Sequence, residues 1–104
     1  MLRIYGRANS LNVRKVLWMC EEIGLAYERE DWGRDHRPTS EQPFMDVSIF
    51  GVVPVVDDDG FILRESNTIV RYLATKHGRA DLYPTEIRAR ALTEQWMDYG
   101  NTDL

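Results

Sequence analysis

The stretch "PVVDDDGFILRES", Pro54 to Ser66, constrains the fold more than any other part of the chain. Two apolar runs, Val55-Val56 and Phe61 to Leu63, flank Asp58-Asp59-Gly60, a turn chemistry that favours an antiparallel hairpin. Proline has no N–H and cannot occupy the middle of a hydrogen-bonded strand, so Pro54 marks the entrance of the first strand. Ser66 then opens a helix in which Ile69, Tyr72, Leu73 and Lys76 share a face, ending at His77-Gly78. The two strands therefore extend a sheet that begins upstream.

That sheet starts with "LRIY", Leu2 to Tyr5, which alternates apolar and polar residues. Gly6 and Asn9-Ser10 then announce a loop and a helix start. From Ser10 to Ile23, Val13, Val16, Leu17, Cys20 and Ile23 recur at three- and four-residue steps and share one buried face, with Gly24 as the stop. Ala26 to Asp31 is a second short strand, and a strand-helix-strand unit implies a parallel pair joined by a right-handed crossover. Trp32 to Asp46 is polar and interrupted by Gly33, Pro38 and Pro43, which reads as an irregular surface excursion. Past the second helix, "GRADLYP" is a connector. Thr85 caps a last helix with Ala89, Leu92, Trp96 and Tyr99 on one stripe, broken near Gly100. The expected order is β-α-β, a long loop, β-β-α and one added helix whose apolar stripe needs a cover.

The 104 residues fit one domain, and 43% hydrophobic residues build a single modest core. Thirteen basic against seventeen acidic residues give a net charge of −4 without a basic face, which argues against nucleic acid and anionic membranes as partners. No apolar run approaches the roughly 18 residues of a membrane span, and the N-terminus lacks the apolar stretch of a secretion signal. The lone Cys20 excludes an intrachain disulfide framework and fits a reducing compartment, so the expected location is cytoplasmic. Two histidines and scattered carboxylates show no metal-ligand spacing.

Several residues admit both a structural and a chemical role. Glu65-Ser66 lies where a strand meets a helix. Either Ser66 is a plain N-cap and Glu65 a solvated flank, or Ser66 and the following amides hold a carboxylate at the positive helix end while Glu65 takes an ammonium. The second arrangement recognises an α-amino acid head group. Ser10 is likewise an N-cap or, with Asn12 and the helix dipole, a donor to a bound thiolate. It is not a serine nucleophile, because no GxSxG elbow surrounds it. A cis Val53-Pro54 bond would turn the Val53 main chain toward a ligand; on sequence alone the trans form is favoured. Tyr5 offers a hydroxyl near the first loop or a ring to the core, and Cys20 falls on the apolar stripe as a buried, unreactive thiol. His36 and Arg37 are solvated loop residues or meet a ligand carboxylate.

These pieces resemble a known family. "YGRANSLNVRKVLWMCEEIGLAYE", "GVVPVVDDDGFILRESNTIVRYLA" and "ARALTEQWMDY" are together similar to the N-terminal, thioredoxin-like domain of glutathione transferases, from Leu2 through Tyr99, and closest to bacterial cytosolic members with SxN after the first strand. The resemblance implies an α/β (α+β) fold, a βαβ-ββα thioredoxin-like unit with a mixed four-stranded sheet. It divides the chain into a glutathione-binding domain at 1–78, a linker at 79–84, and at 85–104 the first helix of an otherwise missing all-helical second domain. It also implies a detoxifying transferase: Val53 pairs its main chain with the cysteine of glutathione beside a cis Pro54, and Glu65 and Ser66 hold the γ-glutamyl head group. Ser10 or Asn12 stands at the thiolate, and His36 or Arg37 reaches the glycine carboxylate. Glutathione is the co-substrate, a small electrophile its target, and no metal takes part.

Two features depart from the family. Ser48-Ile49-Phe50 precede Gly51 where Asn-Pro is usual, and family members continue for roughly another hundred residues, one added domain. The chain is thus expected to be a curtailed transferase with weak or no turnover. The competing expectation is a non-catalytic module that dimerises, with exchange of the last helix between copies. A glutaredoxin-like reductase fits the fold but needs a cysteine where Ser10 stands.

Overall fold

Tyr5, Val55 and Trp32 form one apolar cluster, and Ile4, Val56 and Leu73 belong to another. Residues adjacent in a strand point to opposite faces of a sheet, so the two clusters lie on its two sides. The computed structural model describes residues 1–32 and 53–103. Its strands are β1 (Leu2–Tyr5), β2 (Tyr27–Glu30), β3 (Val55–Asp58) and β4 (Phe61–Arg64); its helices are α1 (Leu11–Ile23), α2 (Ser66–Lys76) and α3 (Ile87–Asp103). The sheet has the order β2-β1-β3-β4. β1 runs parallel to β2 and antiparallel to β3, which pairs antiparallel with β4. This is the expected mixed four-stranded sheet.

The β3–β4 hairpin closes through Asp59 and Gly60, both at positive φ (51° and 97°). Two such residues define the tight turn whose twist matches that of its strands, and Asp57 Oδ1 accepts the Gly60 amide at 2.7 Å. α1 and α2 cover one face together. Leu2, Ile4 and Val56 of the sheet meet Val16 and Cys20 of α1 and Ile69, Val70 and Leu73 of α2. Burial pushes the Cys20 thiol up to about 11, so it is an inert core group.

Four local expectations are corrected. The core face of α2 is Ile69, Val70, Leu73 and Ala74. Lys76 is exposed instead and, with Tyr72, reaches over the rim to Asp58. Trp32 does not belong to a polar excursion: it is fully buried, and Glu30 accepts its indole N–H at 3.2 Å, so the large ring is inside with its one donor satisfied. The last helix begins at Ile87 and its cap is Glu86, whose carboxylate accepts the Ala89 amide at 2.7 Å, in place of Thr85. It also runs through Gly100 to Asp103, because a helical glycine weakens a helix by only about 1 kcal/mol. Trp32 excepted, the segment 32–46 with His36, Arg37, Gly33, Pro38 and Pro43, and the 48–51 departure lie outside the described residues.

The Asp58 cluster joins β3 to α2. Hydrogen bonds from Lys76 and Tyr72 hold the Asp58 carboxyl below its ordinary range. A depressed carboxylate pKa means that the unfolded chain binds the proton more readily, so the stabilisation is complete above the unfolded pKa and is lost as pH falls through the folded one. Asp58→Asn is therefore expected to destabilise the chain by about 1–2 kcal/mol at neutral pH. That difference should shrink in acid below about pH 4, as read by urea denaturation of both proteins across pH.

Candidate functional site

The starts of α1 and α2 are far apart in sequence and meet in space. Ser10 caps α1: it is 8% exposed, its backbone is extended, and its Oγ accepts the Val13 amide at 3.4 Å. That bond uses a lone pair and leaves the hydroxyl proton for another acceptor. Asn12, in the exposed first turn, accepts a hydrogen bond from Ser66 Oγ, also at 3.4 Å. Both bonds are long, and a ligand replaces a long bond at small cost. Neither helix has an acidic residue in its first turn, so two positive helix ends face one region.

Ser66 is not the N-cap the local pattern suggested. It is the first residue of α2, 5% exposed, and Glu65 occupies the cap position with φ 74° and ψ 117° and no side-chain cap bond. The first helical bond runs from the Ile69 amide to the Glu65 carbonyl at 2.9 Å, leaving the amides of Ser66, Asn67 and Thr68 without a capping side chain. A positive φ on a side-chain-bearing residue is strained, and such strain concentrates where a side chain must be aimed. The Glu65 carboxylate is exposed. A group that favours cations thus adjoins amides that favour anions.

The third wall is the entrance to β3. The Val53-Pro54 bond is cis, Pro54 is buried, and Val53 packs on the Tyr5, Trp32 and Val55 cluster. Gly6 sits between this wall and α1. A Cβ at Gly6 would stand 2.5 Å from Val13 Cγ2 and 3.3 Å from Val53 Cβ, so the missing side chain lets the loop after β1 lie between them. Arg29 fastens that loop by donating to the Gly6 carbonyl at 3.2 Å and pairing with Asp31. The sequence marks Gly6 as the start of a loop but shows neither its close packing against Val13 and Val53 nor the part of Arg29, because both depend on contacts with distant residues. Tyr5 is 7% exposed with its ring in the core.

The structure brings Ser66 and Asn12 into contact, with Glu65 adjoining Ser66 and Ser10 opening the same helix turn as Asn12. Val53 joins them through Gly6 and Val13. Among the described residues no group of three His, Cys, Asp or Glu side chains is placed to hold a metal ion, and no helix is long and apolar enough to cross a membrane.

Sheet order and the pair of helices on one face define a thioredoxin-like domain. Its sequence matches the profile of "Glutathione S-transferase, N-terminal domain" over residues 4–81, and the chain belongs to the glutathione S-transferase family. It is 42% identical over 106 residues to glutathione S-transferase GstB of Escherichia coli K12, covering all of this chain and 51% of that one. The theta class glutathione S-transferase of Xanthomonas axonopodis pv. citri, in a crystal structure with glutathione bound, superposes with a TM-score of 0.91 at 42% identity, over 97% of this chain and 48% of that one. An epsilon-class glutathione S-transferase from the housefly, Musca domestica, superposes at 0.92 with 25% identity, over 98% and 47%. The chain spans about half the length of the curated relatives it matches.

Proposed function

We propose that this chain binds glutathione where the starts of α1, α2 and β3 meet, stabilises its thiolate and presents it to small electrophiles. The observation that carries the reading is the Glu65–Ser66–Asn12 grouping, in which an exposed carboxylate adjoins uncapped amides and a second positive helix end. An α-amino acid head group has both complementary charges on one carbon. The ammonium goes to Glu65, and the carboxylate to Ser66 Oγ and the α2 amides. The Val53 main chain pairs with the cysteine, and His36 or Arg37 takes the glycine carboxylate. A relative 42% identical to this chain has been crystallised with glutathione bound, which supports the choice of ligand.

The chemistry is nucleophilic attack by the glutathione sulfur. The Ser10 hydroxyl, with the α1 dipole, donates to the sulfur and lowers its pKa, so more of it is thiolate at neutral pH; Asn12 is the alternative donor. The protein positions and ionises the nucleophile and forms no covalent bond itself. In domain terms, residues 1–78 form the binding unit, 79–84 a linker, and 85–104, the stretch that contains α3, the start of a second, helical unit.

Calorimetric titration with glutathione, repeated on Ser66→Ala, tests the pocket. The substitution should weaken binding about tenfold or more, by removal of a hydrogen bond to a charged group. Equal heats from the two proteins would refute the assignment. In the same preparation, Ser10→Ala should raise the pKa of the bound thiol by about one unit or more, read from thiolate absorbance against pH.

A specific observation favours a second reading, a dimerising interaction module. Trp18, Leu92, Trp96 and Tyr99 are all exposed. Trp18 and Trp96 also line an open groove of about 530 Å³ between α1, α2 and α3. A second copy, exchanging its last helix, would cover this surface.

A further inference from the structure

α2 enters the proposed site without a side-chain cap, so something else has to set the direction of its first turn. Asn67, the second residue of α2, is half-buried, and its Nδ2 donates to the main-chain carbonyl of Met97 at 3.1 Å. Met97 packs on the main core cluster, so its carbonyl is an anchored acceptor, and a helical carbonyl keeps a second lone pair for such a donor. One turn further along α2, Arg71 lies 3.7 Å from Glu94, which also accepts the Tyr83 hydroxyl. Residues four apart share a helix face, so Asn67 and Arg71 form a two-rung polar contact between α2 and α3. Only the first rung adjoins Glu65 and Ser66.

We infer that Asn67 is a positioning residue for glutathione: its amide holds the first turn of α2 on α3, so that Glu65 stays at its positive φ and Ser66 Oγ stays aimed at Asn12. The inference rests on the glutathione reading above and assigns to α3 a part in a site it does not line. Asn67 itself needs no contact with the ligand. Without its bond to Met97, the turn keeps its helical bonds but loses its lateral restraint, because the Ser66–Asn12 bond at 3.4 Å is too long to hold it alone.

The test uses the full chain with Asn67→Ala, Asn67→Gln and Arg71→Ala. In the ligand-free protein, Asn67→Ala should speed amide hydrogen exchange at Ile69, whose N–H bonds the Glu65 carbonyl, and leave Leu73 unchanged. By calorimetry, Asn67→Ala should weaken glutathione binding about fivefold to tenfold, the loss of one neutral hydrogen bond, with Asn67→Gln restoring part of it. Arg71→Ala breaks the other rung of the same interface and should bind within about twofold of the parent chain. Unchanged Ile69 exchange in Asn67→Ala would overturn the inference. So would an Arg71→Ala loss as large as that of Asn67→Ala, since the contact would then be one of general stability. A parent chain that does not bind glutathione would sink the proposed function, and the exchange result would still decide whether Asn67 sets the turn.

Discussion

Glu65→Gly should yield a chain about 1 kcal/mol more stable than the parent that binds glutathione at least about tenfold more weakly. Glu65 sits at φ 74° and ψ 117°, a region in which a residue with a Cβ is strained by about 1–3 kcal/mol. Glycine adopts that conformation freely, but its larger unfolded-state entropy takes back about 0.5–1 kcal/mol. The balance favours the glycine variant. Its stability gain is to be read from urea denaturation and its binding loss from calorimetry. The two effects have opposite signs only if strain at this position is tolerated for recognition. If stability falls on substitution, other contacts hold Glu65 in place; if affinity is unchanged, Glu65 does not meet the ammonium.

The second large effect is expected at Gly6. In Gly6→Ala the new Cβ meets Val13 Cγ2 at 2.5 Å, and Val13 is fully buried on a β-branched side chain with little freedom to turn away. With φ at 153°, the backbone also disfavours any side chain. Overpacking and backbone strain together should destabilise the fold by about 3 kcal/mol. Adding Val13→Ala removes the clashing methyl groups but not the strain, so the double variant should be more stable than the sum of the single losses by about 1 kcal/mol. Strict additivity in equilibrium denaturation would show that the loop moves aside instead. The experiment bears on function, because the atoms that clash join the Ser10 helix to the Val53 wall.

Much of this fold is written locally. The Asp59-Gly60 turn, the alternation of Leu2 to Tyr5 and the Ser10 cap are short-range devices, and each appears in the structure where its chemistry puts it. Local rules failed where a distant neighbour supplied the stronger interaction. Ser66 followed by a helical pattern reads as a cap, yet its hydroxyl bonds Asn12, 54 residues away, and the cap position falls to strained Glu65. Trp32 starts a polar stretch, yet Tyr5 and Val55 bury it. Lys76 shares a helical period with Ile69, yet Asp58 holds it over the rim of the core. Thr85 has good cap chemistry, but Glu86 is the residue that reaches the Ala89 amide.

The candidate site divides in the same way. The amino-acid order by itself determined which residue types were on hand: a hydroxyl and an amide opening one helix, a carboxylate and a hydroxyl opening another, and a proline at a strand entrance. These follow from turn and capping preferences that act over three or four residues. Only tertiary structure decided that they face one another. Placing β1 between β2 and β3 brings the α1 and α2 starts together, Gly6 lets the Val53 wall close in, and Asn67 reaches across to Met97. Such contacts depend on the burial of both faces of one sheet, a cooperative condition that no local window of the chain contains.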